Sequence, residues 1–404
     1  MSISPPSTSR VPRRRFGRTG LAMPVFSTGG MRYQHSWKDA DAEGISAEGQ
    51  ANLEACIRRS LEAGICHIET ARGYGTSELQ LGRILPSLPR DEIIVQTKGG
   101  AKEDPAEFRK ALETSFANLR LDHIDLFAFH GVNHGPTLDL VVRDGGCLEV
   151  VREFQKAGRI RFVGFSTHGP CEDIVRAIGT GVFDYVNVHW YYVYHPVNWP
   201  AVEAAAQRDM GVFIISPNDK GGKLYEAPDS LRELCHPLTP MQFNDLWCLS
   251  RPEVHTLSLG AAKPSDYDEH LEGLRHWDDR ERLTGEIARR LEDRITERLG
   301  RDWAEGWWEG IPHHERCPNG INIVEILRLY TFAKGLDMVA FGKMRYNLLG
   351  NGGHWFPGMK AGEVDADAVR ACVAASPVAD RIPEALREAH ALLHSEPVKR
   401  QSQS

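Results

Sequence analysis

The chain has no close pair of cysteines. Its eight cysteines, Cys56, Cys66, Cys147, Cys171, Cys235, Cys248, Cys317 and Cys372, stand singly. That usage argues against a disulfide framework and for free thiols in the cytoplasm. No apolar run approaches the about 18 residues of a membrane span. The early arginines are not followed by the apolar core of a signal peptide, so residues 1–12 read as a disordered Ser/Pro tail. There is no excess of positive charge: the net charge of −7 gives no footprint for nucleic acid or for an anionic membrane. A G-x-G-x-x-G turn after the first strand-like run is also missing, which weighs against an open dinucleotide-binding sheet.

What is present is an ordinary soluble composition, 41% hydrophobic and 25% charged over 404 residues. Eight short, nearly continuous apolar runs alternate with helical patterns: Val25–Gly29, Ile65–Glu69, Ile93–Thr97, Ile124–Phe129, Arg161–Phe165, Tyr185–Trp190, Val212–Ser216 and Val254–Leu259. Such runs suit strands buried on both faces of a parallel sheet. Leu53, Cys56, Ile57 and Leu61 form one helical stripe between them, and Phe108, Leu112, Phe116 and Leu119 another. Glycines at Gly64 and Gly158 close helices ahead of strands. The expected fold is therefore α/β, a (β/α)8 TIM barrel over residues 13–276.

Glu69, Lys98 and His130 end the second, third and fourth runs, and Tyr74 follows just past the second. In a parallel barrel those ends converge on one mouth, so the four share a pocket. A structural ion pair and a satisfied core histidine would explain each residue taken singly. Together at successive strand ends they point to chemistry. A cation beside Tyr74 is expected to lower its phenol pKa, letting it exchange a proton with a developing alkoxide while His130 donates to the same oxygen. The His130/His134 spacing lacks a matching carboxylate or cysteine, so no metal is expected.

The lines RRRFGRTGLAMPVFSTGGM, IETARGYGTSELQLGRIL, VQTKGG, LRLDHIDLFAFH and GRIRFVGFSTHGP together resemble the aldo/keto reductase family over roughly residues 13–275. The resemblance implies an NAD(P)-dependent oxidoreductase that passes hydride between nicotinamide and a carbonyl or alcohol. Its tetrad falls on Glu69, Tyr74, Lys98 and His130, with Tyr74 as general acid/base. Glu69 departs from the family, which has aspartate there.

For the cofactor, the resemblance implies Ser166, Thr167 and Asn187 at the nicotinamide, with Tyr191 stacking or walling the pocket. Ser216, Pro217, Asn218, Lys220, Gly221 and Gly222 would cover the pyrophosphate. Lys263, Asp266, Glu269 and His270 would meet the adenosine end. NADP is the family default, and Asp266 in place of an arginine makes NAD a competitor. The implied partner is a small carbonyl or alcohol compound, with a histidine-rich lining that suits a sugar. Two other readings keep the barrel: a non-catalytic nucleotide-binding scaffold or sensor, and an enzyme that recycles its cofactor internally.

From Asp278 the chain turns to Arg, Glu and Asp, with Leu283, Ile287, Leu291, Ile295 and Leu299 at every fourth position. This predicts a solvated amphipathic helix leading a helical region over 277–393, with a disordered tail over 394–404. The region resembles the ferredoxin-like domain of some family members. Counting back from Cys317-Pro318 puts cluster ligands at Trp307, Gly310 and His313; a second run puts them at Ala366, Val369, Cys372 and Ser376. Only Cys317 and Cys372 are thiols, so no iron–sulfur cluster is expected.

Overall fold

The computed structural model describes residues 11–351 and 356–395. The expected tails over 1–12 and 394–404 lie almost wholly outside the described residues. A short antiparallel hairpin comes first, β1 (Arg13–Arg15) and β2 (Ala22–Pro24). Eight parallel strands follow and close on themselves: β3 (Phe26–Gly29), β4 (His67–Glu69), β5 (Ile94–Gly99), β6 (Ile124–His130), β7 (Ile160–Ser166), β8 (Tyr185–Val188), β9 (Gly211–Ile214) and β10 (Thr256–Gly260). Each expected run holds one strand. The closing pair is β10 with β3, where Ser258 stands beside Ser27.

The hairpin is the element that local patterning did not announce. Its turn carries Phe16, fully buried against Tyr185 and His255 at ring distances of 5.6 Å, and it plugs the N-terminal end of the barrel. Gly211 leaves the room for this plug, since a side chain there would meet the Phe16 ring at 2.6 Å. Above Phe16 the barrel interior is filled by Met23, Ile94, Leu126, Ala128, Tyr185 and Phe213. A polar layer follows, in which Ser27 bridges His67 and Thr256 at 2.7 Å each.

The helix stripes face the strands as their spacing required. In the helix Ala47–Glu62, Leu53, Cys56 and Ile57 are buried, and in Pro105–Leu119 so are Phe108, Leu112, Phe116 and Leu119. The amphipathic helix spans Arg280–Leu299. It buries Leu283, Ile287, Leu291, Ile295 and Leu299 between the barrel helix Pro240–Leu249 and the helix Ile323–Gly335. Among the described residues, the rest of the C-terminal region is helices joined by loops, with one bridge between Ile321 and Met359. Among the described residues no helix is long and apolar enough to cross a membrane.

Candidate active site

Glu69 ends β4 and Lys98 lies one residue inside the end of β5, both pointing into the mouth and both buried, at 3% and 1% exposed. They form a direct ion pair. Lys98 also donates to the carbonyl of Thr70 at 2.9 Å. Glycine at position 29 leaves room for Ser258, whose Oγ would lie 2.6 Å from a side chain there, while Glu69 Oε2 at 3.5 Å would be in ordinary contact. Behind the pair, buried Glu78 accepts from the Thr97 hydroxyl at 2.7 Å and ties β5 to the helix Ser77–Ile84 that precedes it.

Tyr74 sits on the turn after β4. The turn needs Gly75 in the left-handed region (φ 52°), where a side chain would strike the Ser36 carbonyl. The preceding loop is pinned there by the Thr76 hydroxyl, which accepts from the backbone amides of His35 and Ser36 at 3.1 Å. The Trp37 ring meets Tyr74 edge-on from one side at 6.2 Å, and His130, at the end of β6, stands perpendicular to it at 5.7 Å. The Lys98 ammonium lies 4.6 Å from the centre of the Tyr74 ring. All four expected residues thus meet in one pocket.

Their electrostatics differ from expectation in one respect. The Tyr74 phenol is raised above its ordinary value, because burial disfavours the phenolate. Lys98 faces the ring and its charge is shared with Glu69, so it does not reverse that shift. The Lys98 pKa is itself driven down by burial, and the charge of Lys220 acts the same way.

Across the mouth, Ser166 ends β7 and Asn187 lies in β8, both buried. Neither amide atom of Asn187 has a hydrogen-bond partner. A fully buried side-chain amide in that state is unusual and suits a ligand that carries an amide of its own. Thr167 is placed beside them but is committed to the turn, its hydroxyl accepting from Gly169 N at 3.0 Å. Tyr191 is fully buried behind His189, with its hydroxyl 3.0 Å from His189 Nδ1, and it presents no ring to the mouth. His189 Nε2 meets His168 Nδ1 at 2.6 Å, and Lys220 Nζ lies 3.5 Å from that same Nδ1. Trp190 turns away to stack on Trp247 at 4.7 Å.

The loop after β9 is tightly wound. Ser216 is left-handed (φ 57°), Lys220 N donates back to its carbonyl at 3.1 Å, and Asn244 holds the Pro217 carbonyl at 3.1 Å. Gly221 and Gly222 permit the turn, since a side chain on Gly221 would overlap Pro217 O. Asn218 Nδ2 reaches His270 Nε2 at 3.3 Å, while its Oδ1 has no partner.

The residues expected at the adenosine end are more inward-turned than the resemblance implied. Asp266 accepts from the amides of Ala262 and Lys263 at 2.8 and 3.3 Å, so it shapes its own turn. Glu269 accepts from the Thr239 hydroxyl, and buried His270 pairs with Asp245. That pairing raises the His270 pKa against the opposing effect of burial. Lys263 is exposed.

The sequence model of the Aldo/keto reductase family matches residues 26–221, the stretch that carries the tetrad and the loop after β9. The barrel is similar to that family along the matched stretch. Among curated relatives, L-galactose dehydrogenase of Arabidopsis thaliana is 28% identical over 39% of the chain and 49% of its own length. NADH-specific methylglyoxal reductase of Escherichia coli is 28% identical over 30% of the chain and 44% of its own length. An aldo-keto reductase of Mycolicibacterium paratuberculosis is 25% identical over 57% and 78%. The chain thus spans about half the length of the first and second of these. Among solved structures, the holo form of an aldo-keto reductase from Bacillus halodurans superposes with a TM-score of 0.53 at 18% identity, covering 68% of this chain and 96% of that one. One from Klebsiella pneumoniae in complex with NADPH gives 0.51 at 20%, covering 68% and 95%.

This barrel also uses residues that strand-end reasoning passed over. Gly29 and Glu78 are the clearest, since each acts by giving room or a hydrogen bond to a neighbour remote in sequence. In the C-terminal region the two thiols expected to be remnants of separate runs come together. Cys372 Sγ lies 3.6 Å from Arg316 O, and burial with the adjoining Cys372 pushes the Cys317 thiol up to about 12. His313, His314 and Glu315, beside Cys317, hold their ligand atoms within 4.8 Å of one another.

Proposed function

We propose that the protein is an NAD(P)-dependent oxidoreductase acting on a small carbonyl or alcohol compound, with Tyr74 as its general acid/base. The observation that carries this reading is the grouping of Tyr74, the buried Lys98–Glu69 pair and His130 at one barrel mouth. A phenol held above its ordinary pKa is fully protonated at neutral pH, as the proton donor in carbonyl reduction must be. Lys98 stands next to the ring as the phenol gives up its proton; burial lowers its pKa, and a carboxylate paired with it, as Glu69 is, acts against that shift. His130, perpendicular to the Tyr74 ring at 5.7 Å, would orient the carbonyl oxygen.

The nicotinamide cofactor, when bound, supplies or accepts the hydride. The Asn187 amide, with both its atoms unpartnered in the mouth, fits the cofactor's carboxamide, and Ser166 would share that task. Backbone amides of the Ser216–Gly222 loop and Lys220 would suit its phosphates. Lys263, exposed while Asp266 is turned onto the backbone, favours NADP over NAD. The likeness to a methylglyoxal reductase and a sugar dehydrogenase supports small oxygenated substrates, sugars among them.

The same reading leaves the C-terminal region without an iron–sulfur cluster, because Cys317 and Cys372 offer two thiolates where a four-iron cluster needs four. Eight free thiols support a cytoplasmic setting. The test is turnover of a panel of aldehydes with NADPH or NADH, followed by loss of the reduced nicotinamide absorbance. No turnover with any pair would overturn the proposal. Iron and acid-labile sulfide in anaerobically purified protein would overturn the cluster-free reading.

A further inference from the structure

We propose that Arg345, on the C-terminal helix Val339–Tyr346, recognises an oxyanion group carried by the substrate, a carboxylate or a phosphate ester. The inference rests on the carbonyl-reductase reading and narrows its substrate to negatively charged compounds.

Arg345 is 5% exposed, and its Nε has no hydrogen-bond partner. Its guanidinium lies over the Phe356 ring at 4.2 Å and within hydrogen-bonding reach of the Tyr194 hydroxyl. Among the described residues no carboxylate pairs with it. Its neighbour Arg328 is treated differently. Arg328 is fully buried 3.7 Å over the Tyr194 ring, and its charge is met by Glu325, with Nε 3.0 Å from Oε2. Two buried arginines therefore face one buried carboxylate. An uncompensated buried charge is costly, and a bound anion is the ordinary way of balancing it.

The position of this surplus charge argues for substrate rather than cofactor. Tyr194 packs edge-on against Tyr191 at 5.3 Å, Tyr191 bonds His189, and His189 bonds His168 just past Ser166. That line ends beside Ser166, which pairs in register with His130 on the neighbouring strand. The Arg345 charge is felt there, helping to depress the pKa of both His168 and His189. The helix that carries Arg345 begins against the loop after β9, where Met338 fills the space beside Gly222. The C-terminal region is thus joined to the cofactor loop at one end of this helix and lends a cation to the substrate side at the other. Guanidinium is the side chain best matched to the two oxygens of a carboxylate or phosphate.

The first test is calorimetric titration of the full-length protein, loaded with NADP+, with glutarate and separately with glycerol phosphate. Wild type is expected to bind at least one, and the stronger arm identifies the anion. Arg345→Met should weaken that binding by about tenfold or more, and Arg345→Lys by less. Failure of wild type to bind either, or equal binding by Arg345→Met, overturns the proposal. A loss of NADP+ affinity in Arg345→Met as large as the loss of anion affinity would also overturn it, by assigning the arginine to cofactor phosphates. If Arg345→Met does not fold, Arg345→Lys decides: its anion affinity must fall while its NADP+ affinity holds. The second test compares kcat/KM for an ω-carboxy aldehyde and its methyl ester. The acid should be preferred by about tenfold through KM, with the ratio collapsing in Arg345→Met. An ester turned over as well as the acid overturns this inference. Absence of turnover with every aldehyde would instead overturn the reductase reading, and the titration would still decide whether Arg345 holds an anion.

Discussion

Lys98 and Glu69 form a buried ion pair across the neighbouring strands β5 and β4, directly beneath the ring of Tyr74. Removing one partner leaves a charge with neither water nor counterion. Glu69→Ala is expected to cost about 3–5 kcal/mol of stability. The double change Glu69→Leu with Lys98→Met should recover most of that loss yet show no turnover. Chemical denaturation of the three proteins checks this, and a single mutant as stable as wild type would show that the pair is not charged.

Tyr74→Phe removes the hydroxyl and keeps the ring that Trp37 and Lys98 contact. Turnover should fall by roughly 10²–10⁴-fold, the usual weight of a general acid/base. Cofactor affinity, measured by fluorescence titration, should change by less than about twofold. Near-wild-type kcat in this variant would remove Tyr74 from the mechanism.

Asn187→Ala separates binding from folding. Both amide atoms of Asn187 are buried without partners, so the free protein gains nothing from them. Its melting temperature should stay level or rise. Cofactor Kd should increase by about tenfold or more, since each lost hydrogen bond is worth about 1 kcal/mol or more. A fall in melting temperature with unchanged Kd would mean that the amide serves the fold.

His67 gives the pH prediction. Burial lowers its pKa from 6.5 to about 3. Between those values the unfolded chain binds a proton that the folded protein refuses, so stability falls as the pH is lowered from about 6.5 toward 3. One such group contributes a slope of roughly 1.4 kcal/mol per pH unit in that window. His67→Gln keeps a partner for Ser27 and should flatten the slope of denaturation midpoint against pH by about one proton. An unchanged slope would mean that His67 titrates normally.

Much of the fold was legible because each strand and each helix stripe is a local pattern. The eight apolar runs became the eight strands of the barrel, and Glu69, Lys98 and His130 met because parallel strands share one C-terminal face. The plug formed by Phe16 was not legible, since its role depends on Gly211 nearly two hundred residues later. Asp266, Glu269 and His270 were expected to face a ligand. Their hydrogen bonds to Ala262, Thr239 and Asp245 are contacts that spacing alone does not reveal.

The order of strands and helices, and the identity of the groups at each strand end, follow from the sequence by itself. Periodicity and strand direction are set over a few residues at a time. Which of those groups keep their charge, which are already hydrogen-bonded and which stay open was decided only by the tertiary structure. The phenol of Tyr74 rises where proximity to lysine suggested it would fall, because desolvation depends on everything packed around it. Asn187 stays unpartnered while Thr167 is committed to a turn, and Arg345 comes beside Tyr194 from far along the chain. Burial and ion pairing depend on distances in space, and only the closed barrel with its C-terminal helices sets them.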